Sequence, residues 1–247
     1  MRRLESLRAD AGVLARLLRG MPDGDLGARL ATFYGPQAEH YDRFRDRLLH
    51  GRAELIGALD LPRGARVVEL GGGTGRNLEF FPRERREDLR FELVDLCAPL
   101  LEIARRRTRG WPHVRIIEGD ATRWRPDAPV DCVLLSYALT MIPDWRAAID
   151  NAVAMLAPGG VLAAVDFHAG AMRPAPGRLH QGHVSRAFWR RWFAHDGVHL
   201  DAAHLDHLIA RLPRHALVEA RAPLPYVPWL RVPYYRFVGR LPARAAV

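Results

Sequence analysis

The chain has 247 residues, of which 26% are charged, and a formal net charge of +9. This length suffices for one large domain with a buried core. The sequence holds no run of 18 apolar residues and no apolar leader after Met1, so we expect neither a transmembrane helix nor a secretory signal.

All 37 basic residues are arginine, which favours bidentate contacts with phosphates and carboxylates. Composition alone leaves nucleic acid, an anionic membrane and an acidic substrate open as partners. The two cysteines, Cys97 and Cys132, are far apart and lack the spacing of metal ligands. We therefore expect a reduced, cytoplasmic protein.

The first 60 residues are predicted to be helical. Leucines recur on one face of residues 4–19, and this amphipathic helix either packs on the domain or lies on a lipid surface. Further helical material follows over residues 26–59. We expect residues 1–60 to form an N-terminal helical cover on a main domain of residues 61–247, the two making a single structural unit.

Short apolar runs then alternate with helical stretches. The predicted strands are 66–70, 91–95, 114–117, 130–136 and 161–167, and the predicted helices are 75–81, 98–108 and 145–156, the last capped by Asp144. Residues 169–186 are predicted as a loop and 187–211 as a helix, with final strands around 217–220 and 234–240. This alternation predicts an α/β fold whose parallel sheet has helices on both faces.

The first strand ends in an acid and a glycine-rich turn. Glu69 is followed by Gly71, Gly73 and Gly75, which allow the backbone to approach a ligand closely. Asp95 ends the second strand, 20 residues beyond Gly75, where a carboxylate accepts hydrogen bonds from ribose hydroxyls. A carboxylate beside the glycines would repel a pyrophosphate but attract a cationic sulfonium and its amino group.

This pattern resembles motif I of the class I S-adenosylmethionine-dependent methyltransferases. Three later segments resemble the same family: residues 116–121, 131–137 and 156–162. The resemblance implies a Rossmann-like seven-stranded sheet closed by a hairpin, with S-adenosylmethionine as cofactor. The cofactor-binding residues it implies are Glu69, Gly71, Gly73, Gly75, Asn77, Asp95, Leu96, Asp120, Ala121 and Ser136.

A narrower resemblance concerns the methyl acceptor. Residues 39–42, 47–52, 75–78 and 232–240 are similar to the methyltransferases that convert diacylglyceryl-homoserine into a trimethylated betaine lipid. The chain departs from that pattern at residues 43–45, and at Gly72, where the family usually has cysteine. The resemblance implies a lipid amine substrate, a peripheral position on the inner membrane face, and a partner transferase that makes the homoserine lipid.

The expected transfer site combines aromatic rings with arginines. Tyr41 and Tyr137 are predicted to line it, because aromatic rings tolerate a growing cation. His168, after the fifth strand, is a candidate proton acceptor, with solvent water as the alternative. Arg52 and Arg236 are candidates for binding a substrate carboxylate or phosphate.

The segment 186–193 supports more than one interpretation. Phe188, Trp189, Trp192 and Phe193 form one broad helical face flanked by arginines, which suits either a membrane boundary or ordinary packing. Nucleic-acid binding would use the same residue types, but residues 136–139 lack an Asn-Pro-Pro-Tyr-type motif, so no nucleic acid is expected.

The other open alternatives concern the acceptor and the histidines. Phosphatidylethanolamine and a soluble amine are the alternative methyl acceptors. The alternative to an enzyme is a non-catalytic scaffold with a methyltransferase-like fold. His195, His199, His204 and His207 lack the His-Glu-x-x-His pattern, so we expect no metal.

Overall fold

A computed structural model describes residues 26–34, 42, 45–194, 197–225 and 227–243. Its helices are α1 (Leu26–Tyr34), α2 (Arg52–Gly57), α3 (Arg83–Asp88), α4 (Ala98–Arg107), α5 (Trp145–Met155), α6 (His183–Ala194) and α7 (Ala203–Arg211), with a 3₁₀-helix at Arg76–Phe80. Its strands are β1 (Arg66–Leu70), β2 (Arg90–Asp95), β3 (Val114–Glu118), β4 (Val130–Ser136), β5 (Leu156–Phe167), β6 (His215–Leu224) and β7 (Val227–Arg240). The predicted helix at 4–19 lies outside the described residues.

The seven strands form one sheet in the order β3-β2-β1-β4-β5-β7-β6. Strands β1 to β5 are parallel, and β7 runs antiparallel between β5 and β6. The strand order reverses between β1 and β4, and in open α/β sheets ligands bind at the carboxyl edge beside such a reversal. The predicted seven-stranded Rossmann-like sheet is confirmed.

Helices cover both faces of the sheet, because each strand alternates its side chains between two apolar clusters. Val165 and Phe167 of β5 belong to one cluster, which also holds buried side chains of α2, α4 and α6. Leu162 and Ala164 belong to the other, which holds buried side chains of α5 and α7. The first cluster includes Leu55, so the predicted cover and the main domain share one core.

Several predicted boundaries were wrong. The helix predicted at 187–211 is two helices, α6 and α7, and Gly197 between them has a left-handed φ of 71°. Strand β5 begins at Leu156 instead of residue 161, because Leu156 pairs with Val130. The helix at 75–81 is a short 3₁₀-helix, and α3 was not predicted. The Asp144 cap is confirmed, since its Oδ1 accepts a hydrogen bond from the Ala147 N–H at 3.2 Å.

No helix among the described residues is long and apolar enough to cross a bilayer.

Candidate functional site

A cleft opens at the carboxyl edge of β1, β2, β3 and β4. Six of the predicted cofactor residues line it: Gly71, Gly73, Asp95, Leu96, Asp120 and Ala121. Tyr137 lines it as well, with Met141 and Ile142 from the turn that follows β4. Leu30 of α1 and Arg45 border it on the side of the N-terminal cover. The local turns after four neighbouring strands therefore converge on one cleft.

The three glycines after β1 have different roles. All have left-handed φ values, of 73°, 55° and 70° for Gly71, Gly73 and Gly75. A Cβ on Gly71 would lie 2.6 Å from the Ala138 Cβ, and one on Gly75 would lie 3.2 Å from a Leu93 methyl carbon. A Cβ on Gly73 would meet cleft-lining atoms at 3.6 Å or more. We infer that Gly73 serves ligand approach, whereas Gly71 and Gly75 serve close packing.

Asp95 is fixed by the backbone on both sides. Its Oδ2 accepts a hydrogen bond from the Gly73 N–H and its Oδ1 from the Cys97 N–H, each at 2.8 Å. Burial raises the pKa of this carboxyl group, against the effect of those two hydrogen bonds. Each carboxylate oxygen has a second lone pair, so Asp95 retains the capacity to accept two further hydrogen bonds from neighbouring hydroxyls.

Asp120 uses one carboxylate oxygen for the local turn. Its Oδ1 accepts from both the N–H and the hydroxyl of Thr122, at 2.8 Å each. Within the described residues its Oδ2 accepts no hydrogen bond. An acceptor of this kind at the cleft suits an amino group of a ligand.

Glu69, Asn77 and Arg52 form a buried chain behind the glycine turn. The Asn77 Nδ2 donates to the Glu69 Oε1 at 2.5 Å, and the Arg52 Nη1 donates to the Asn77 Oδ1 at 3.4 Å. Arg52 also pairs with Asp46 at 2.7 Å. The Glu69 Oε2 has no hydrogen-bond partner in the described part of the chain. Arg52 is thus engaged inside the protein and is not a residue of the cleft wall.

Burial dominates the ionisation of Glu69, which is only 2% exposed. It raises the pKa of the carboxyl group to about 7, although the Asn77 hydrogen bond and the Arg52 charge oppose the shift. Near neutral pH, Glu69 is therefore only partly ionised. A cation bound beside it would favour the charged form.

Two carboxylates of the N-terminal cover bind the elements around the glycine turn. Asp42 accepts a hydrogen bond from the Thr74 hydroxyl at 2.6 Å and forms an ion pair with Arg107. Asp46 pairs with Arg76 at 3.0 Å as well as with Arg52. These contacts hold the cover on the edge of the cleft.

Tyr137 follows β4 in a strained conformation. Its φ is 53°, unusual for a residue with a side chain, and its hydroxyl donates to the His50 carbonyl at 2.7 Å. Its ring contacts Phe167 edge-on, at 4.7 Å between centroids. Burial raises the pKa of the Tyr137 hydroxyl well above its usual value. The residue therefore offers the cleft a neutral ring and no proton acceptor.

His168 lies outside the cleft wall. It is buried, with its Nε2 at 2.6 Å from the Glu219 Oε1 and its ring against Tyr235. Burial favours a higher pKa for Glu219, but hydrogen bonds from His168 and Arg178 lower it to about 2. His168 does not line the cleft as Tyr137 does, and its role as a proton acceptor stays a prediction.

The remaining predicted residues have the following positions. Ser136 is buried at the end of β4, and its hydroxyl has no partner among the described residues. Like Glu69, Gly75 and Asn77, it does not line the cleft. Arg236 is half-buried on β7, opposite Val165. In the described chain its Nε has no hydrogen-bond partner, and no carboxylate pairs with it. Tyr41 and His195 lie outside the described residues, within which no group of three or more potential ligands could hold a metal ion.

Sequence reasoning missed Arg45, Met141 and Ile142. Arg45 was noted only as a departure from a family pattern, yet it borders the cleft. Its charge favours the ionised forms of Glu69 and Asp95. Met141 and Ile142 follow β4 without a recognisable motif, so nothing local indicated them.

Comparison with known proteins places this geometry in context. A family model described as a methyltransferase domain matches residues 40–219. The chain is 31% identical over 125 residues to a trans-aconitate 2-methyltransferase of Azoarcus sp. BH72, covering 51% of this chain and 48% of that protein. It is 31% identical over 134 residues to a 2-phytyl-1,4-naphtoquinone methyltransferase of Thermosynechococcus vestitus, covering 51% and 59%. The chain thus spans about half the length of these curated relatives.

Solved structures share the fold. The YcgJ protein of Bacillus subtilis has a TM-score of 0.63 at 15% identity, covering 78% of this chain and 98% of its own. The N-methyltransferase NodS of Bradyrhizobium japonicum WM9, in complex with S-adenosyl-L-homocysteine, has a TM-score of 0.54 at 20% identity, covering 82% and 87%.

Proposed function

Since this chain belongs to the family of proteins with a methyltransferase domain, we propose that it transfers a methyl group from S-adenosylmethionine to an acceptor at the carboxyl edge of the sheet. The observation that carries the proposal is the cleft itself. It combines the open backbone of Gly73, the carboxylates of Asp95 and Asp120, and the ring of Tyr137.

The residues of the cleft fit this cofactor. The spare lone pairs of Asp95 suit the two ribose hydroxyls, and the unengaged Oδ2 of Asp120 suits the adenine amino group. Glu69 lies behind the glycine turn and does not line the cleft, but its unpartnered Oε2 suits the ammonium group of the methionine part. Arg45, on the cleft wall, suits the carboxylate of that part. When bound, S-adenosylmethionine supplies an electrophilic methyl group on a sulfonium ion.

The pH dependence of cofactor binding tests the role of Glu69. Its pKa of about 7 means that the charged fraction rises with pH, so we expect affinity for S-adenosylmethionine to rise roughly five- to tenfold from pH 6 to 7.5. Above that range the cofactor's own amine, with a pKa of about 8, loses its charge. Calorimetric titration at several pH values measures the effect.

The Glu69→Gln variant is expected to remove most of this pH dependence, whereas the exposed Glu84→Gln variant should keep it. 5′-Methylthioadenosine, a ligand that lacks the amino acid part, should bind the parent protein with an affinity that does not depend on pH in this range. The same slope in Glu69→Gln as in the parent protein would contradict the assignment.

The protein's own groups then prepare the acceptor. Tyr137 presents a neutral ring, which stabilises a developing cation without holding it by a strong hydrogen bond. Its hydroxyl is already bound to the His50 carbonyl, which fixes the ring. We assign proton removal from the acceptor to solvent water, because His168, the alternative that the sequence suggested, is buried against Glu219 and does not line the cleft.

For the acceptor, we favour the amine of diacylglyceryl-homoserine, trimethylated to a betaine lipid. Support comes from two segments that carry the resemblance, residues 47–52 and 232–240, which meet beside Tyr137. A Cβ on Gly51 would lie 2.6 Å from the Tyr234 ring and 3.1 Å from the Arg236 side chain. Arg236 suits the homoserine carboxylate. A separate transferase would attach the homoserine unit to diacylglycerol.

A second candidate acceptor is a small carboxylic acid. The relatives from Azoarcus sp. BH72 and Variovorax paradoxus are named trans-aconitate 2-methyltransferases, the latter 35% identical over 124 residues and matched over 50% of this chain and 46% of its own length. Arg236 would then bind one carboxylate while another receives the methyl group.

Transfer of labelled methyl groups distinguishes these acceptors. We expect label in a quaternary lipid when vesicles contain diacylglyceryl-homoserine, and none when they contain phosphatidylethanolamine instead. Soluble trans-aconitate forms the third arm, and vesicles without an acceptor lipid form the blank. Label only in the aconitate arm would replace the lipid proposal, and label in no arm despite cofactor binding would refute both acceptors.

A further inference from the structure

The outer face of α6 exposes large apolar side chains. Val184, Phe188 and Trp192, spaced four residues apart, form one stripe and are 85%, 39% and 49% exposed. Trp189 and Phe193 lie on the inner face and are buried. The aromatic face expected from the sequence is therefore divided between the core and the surface.

The charged side chains of α6 itself are all positive. Arg191 is exposed next to the stripe, Arg190 is exposed at the opposite edge of the helix's outer side, Arg186 is half-buried, and α6 contains no acidic residue. We call the side chains of Val184, Phe188, Arg190, Arg191 and Trp192 the α6 surface. We propose that the α6 surface docks on an anionic lipid bilayer, with its apolar stripe among the acyl chains and its arginines on the lipid phosphates.

Charge complementarity favours lipid over a second copy of the chain. The chain has a formal net charge of +9, so two copies facing each other through arginine-flanked surfaces would repel. An anionic membrane attracts the same arginines. Tryptophan and arginine are also well suited to the headgroup boundary.

A second exposed aromatic residue lies on the β6–β7 hairpin. Tyr234 pairs with Phe167, the last residue of β5, so the residues of β7 before Tyr234 extend past the carboxyl edge of the sheet. Trp229, in this extension, is 81% exposed. Helix α6 packs at the same edge, because its Phe193 ring lies 4.3 Å from the Phe167 ring. Trp229 would add a second attachment at this edge, and two attachments hold a protein on a membrane more stably than one.

Ring contacts connect the cleft with the α6 surface. Tyr137 contacts Phe167, which contacts Phe193, and Trp189 lies between Phe193 and the exposed Phe188 at centroid distances of 5.8 and 4.9 Å. The functional meaning of these contacts rests on the proposed lipid acceptor. If the headgroup binds at Tyr137, the acyl chains of the lipid stay near the docked helix. The docking itself is argued from the α6 surface alone.

Co-sedimentation with vesicles tests the docking without any methyl acceptor. The vesicles contain phosphatidylcholine with about one third phosphatidylglycerol, and pure phosphatidylcholine vesicles serve as the neutral comparison. We expect the parent protein to bind the anionic vesicles, and both Phe188→Ser/Trp192→Ser and Arg190→Glu/Arg191→Glu to lower the partition coefficient at least about tenfold. Circular dichroism checks that each variant is folded.

The control is Arg83→Glu/Arg105→Glu, with one substitution on α3 and one on α4. It changes the net charge of the protein by the same amount as Arg190→Glu/Arg191→Glu. It is expected to bind clearly better than Arg190→Glu/Arg191→Glu. An equal loss of vesicle binding in both charge variants would show that the attraction is non-specific and would contradict docking through the α6 surface. Binding of the α6 variants at the level of the parent protein would overturn the proposal. Loss of self-association in the α6 variants, with unchanged vesicle binding, would assign the surface to a second copy. Since no acceptor is present, absence of methyl transfer leaves this result unaffected.

Discussion

Replacing Asp95 by alanine is expected to weaken binding of S-adenosylmethionine at least about 100-fold. Two ribose hydroxyls lose a charged acceptor, and each such hydrogen bond contributes about 1.5–3 kcal/mol. The N–H groups of Gly73 and Cys97 also lose the carboxylate that fixes them beside the cleft. Isothermal titration with S-adenosylmethionine and with S-adenosyl-L-homocysteine measures both affinities.

Two further variants make this result specific. Asp95→Asn keeps the volume and one carbonyl acceptor, so it should remain folded and bind with intermediate affinity. Asp127→Ala removes an exposed carboxylate that pairs with Arg66, and it should bind like the parent protein. If Asp95→Ala is folded and binds as tightly as the parent, the cofactor does not occupy this cleft in the manner described.

Replacing Gly71 by alanine is expected to lower the free energy of unfolding by about 3 kcal/mol. The left-handed φ of 73° costs about 1 kcal/mol for a residue with a Cβ. The new Cβ would also lie 2.6 Å from the Ala138 Cβ, and the overpacking adds about 2 kcal/mol. Urea denaturation of the variant and the parent protein measures the difference.

Gly64 and Gly73 provide matched controls for this contact. Gly64 has a φ of 69°, and a Cβ there would meet nothing within 4 Å, so Gly64→Ala should cost only about 1 kcal/mol. Gly73→Ala should lose about as little stability as Gly64→Ala. It should bind the cofactor less tightly than the parent protein, because its methyl group enters the cleft. Equal stability loss in Gly64→Ala and Gly71→Ala would show that the Ala138 contact is unimportant.

The sequence by itself determined the sheet and the floor of the cleft. Alternating apolar strands and helices specify a parallel sheet through local periodicity. The turn at Gly73 comes after the end of β1 and Asp95 is the last residue of β2, so their position at the carboxyl edge depends only on the strands being parallel. These features are local, and short segments of chain encode them.

Only the tertiary structure decided which polar groups face the cleft. Arg52 looked available for a substrate, but Asp46 and Asn77 engage it inside the protein. His168 looked like a proton acceptor, but it faces Glu219, a residue 51 positions later in the chain. No spacing in the sequence indicates such pairs, because they form between elements that folding alone brings into contact.

The aromatic segment of α6 shows the same division. Helical periodicity groups Phe188, Trp189, Trp192 and Phe193 on one broad face, but it does not say how much of that face is covered. The packing partner decides it: the Phe193 ring lies against Phe167 at the end of β5, and Phe188 and Trp192 remain exposed. A helix's sequence fixes which side chains share a face, whereas burial depends on the position of a neighbour that the sheet supplies.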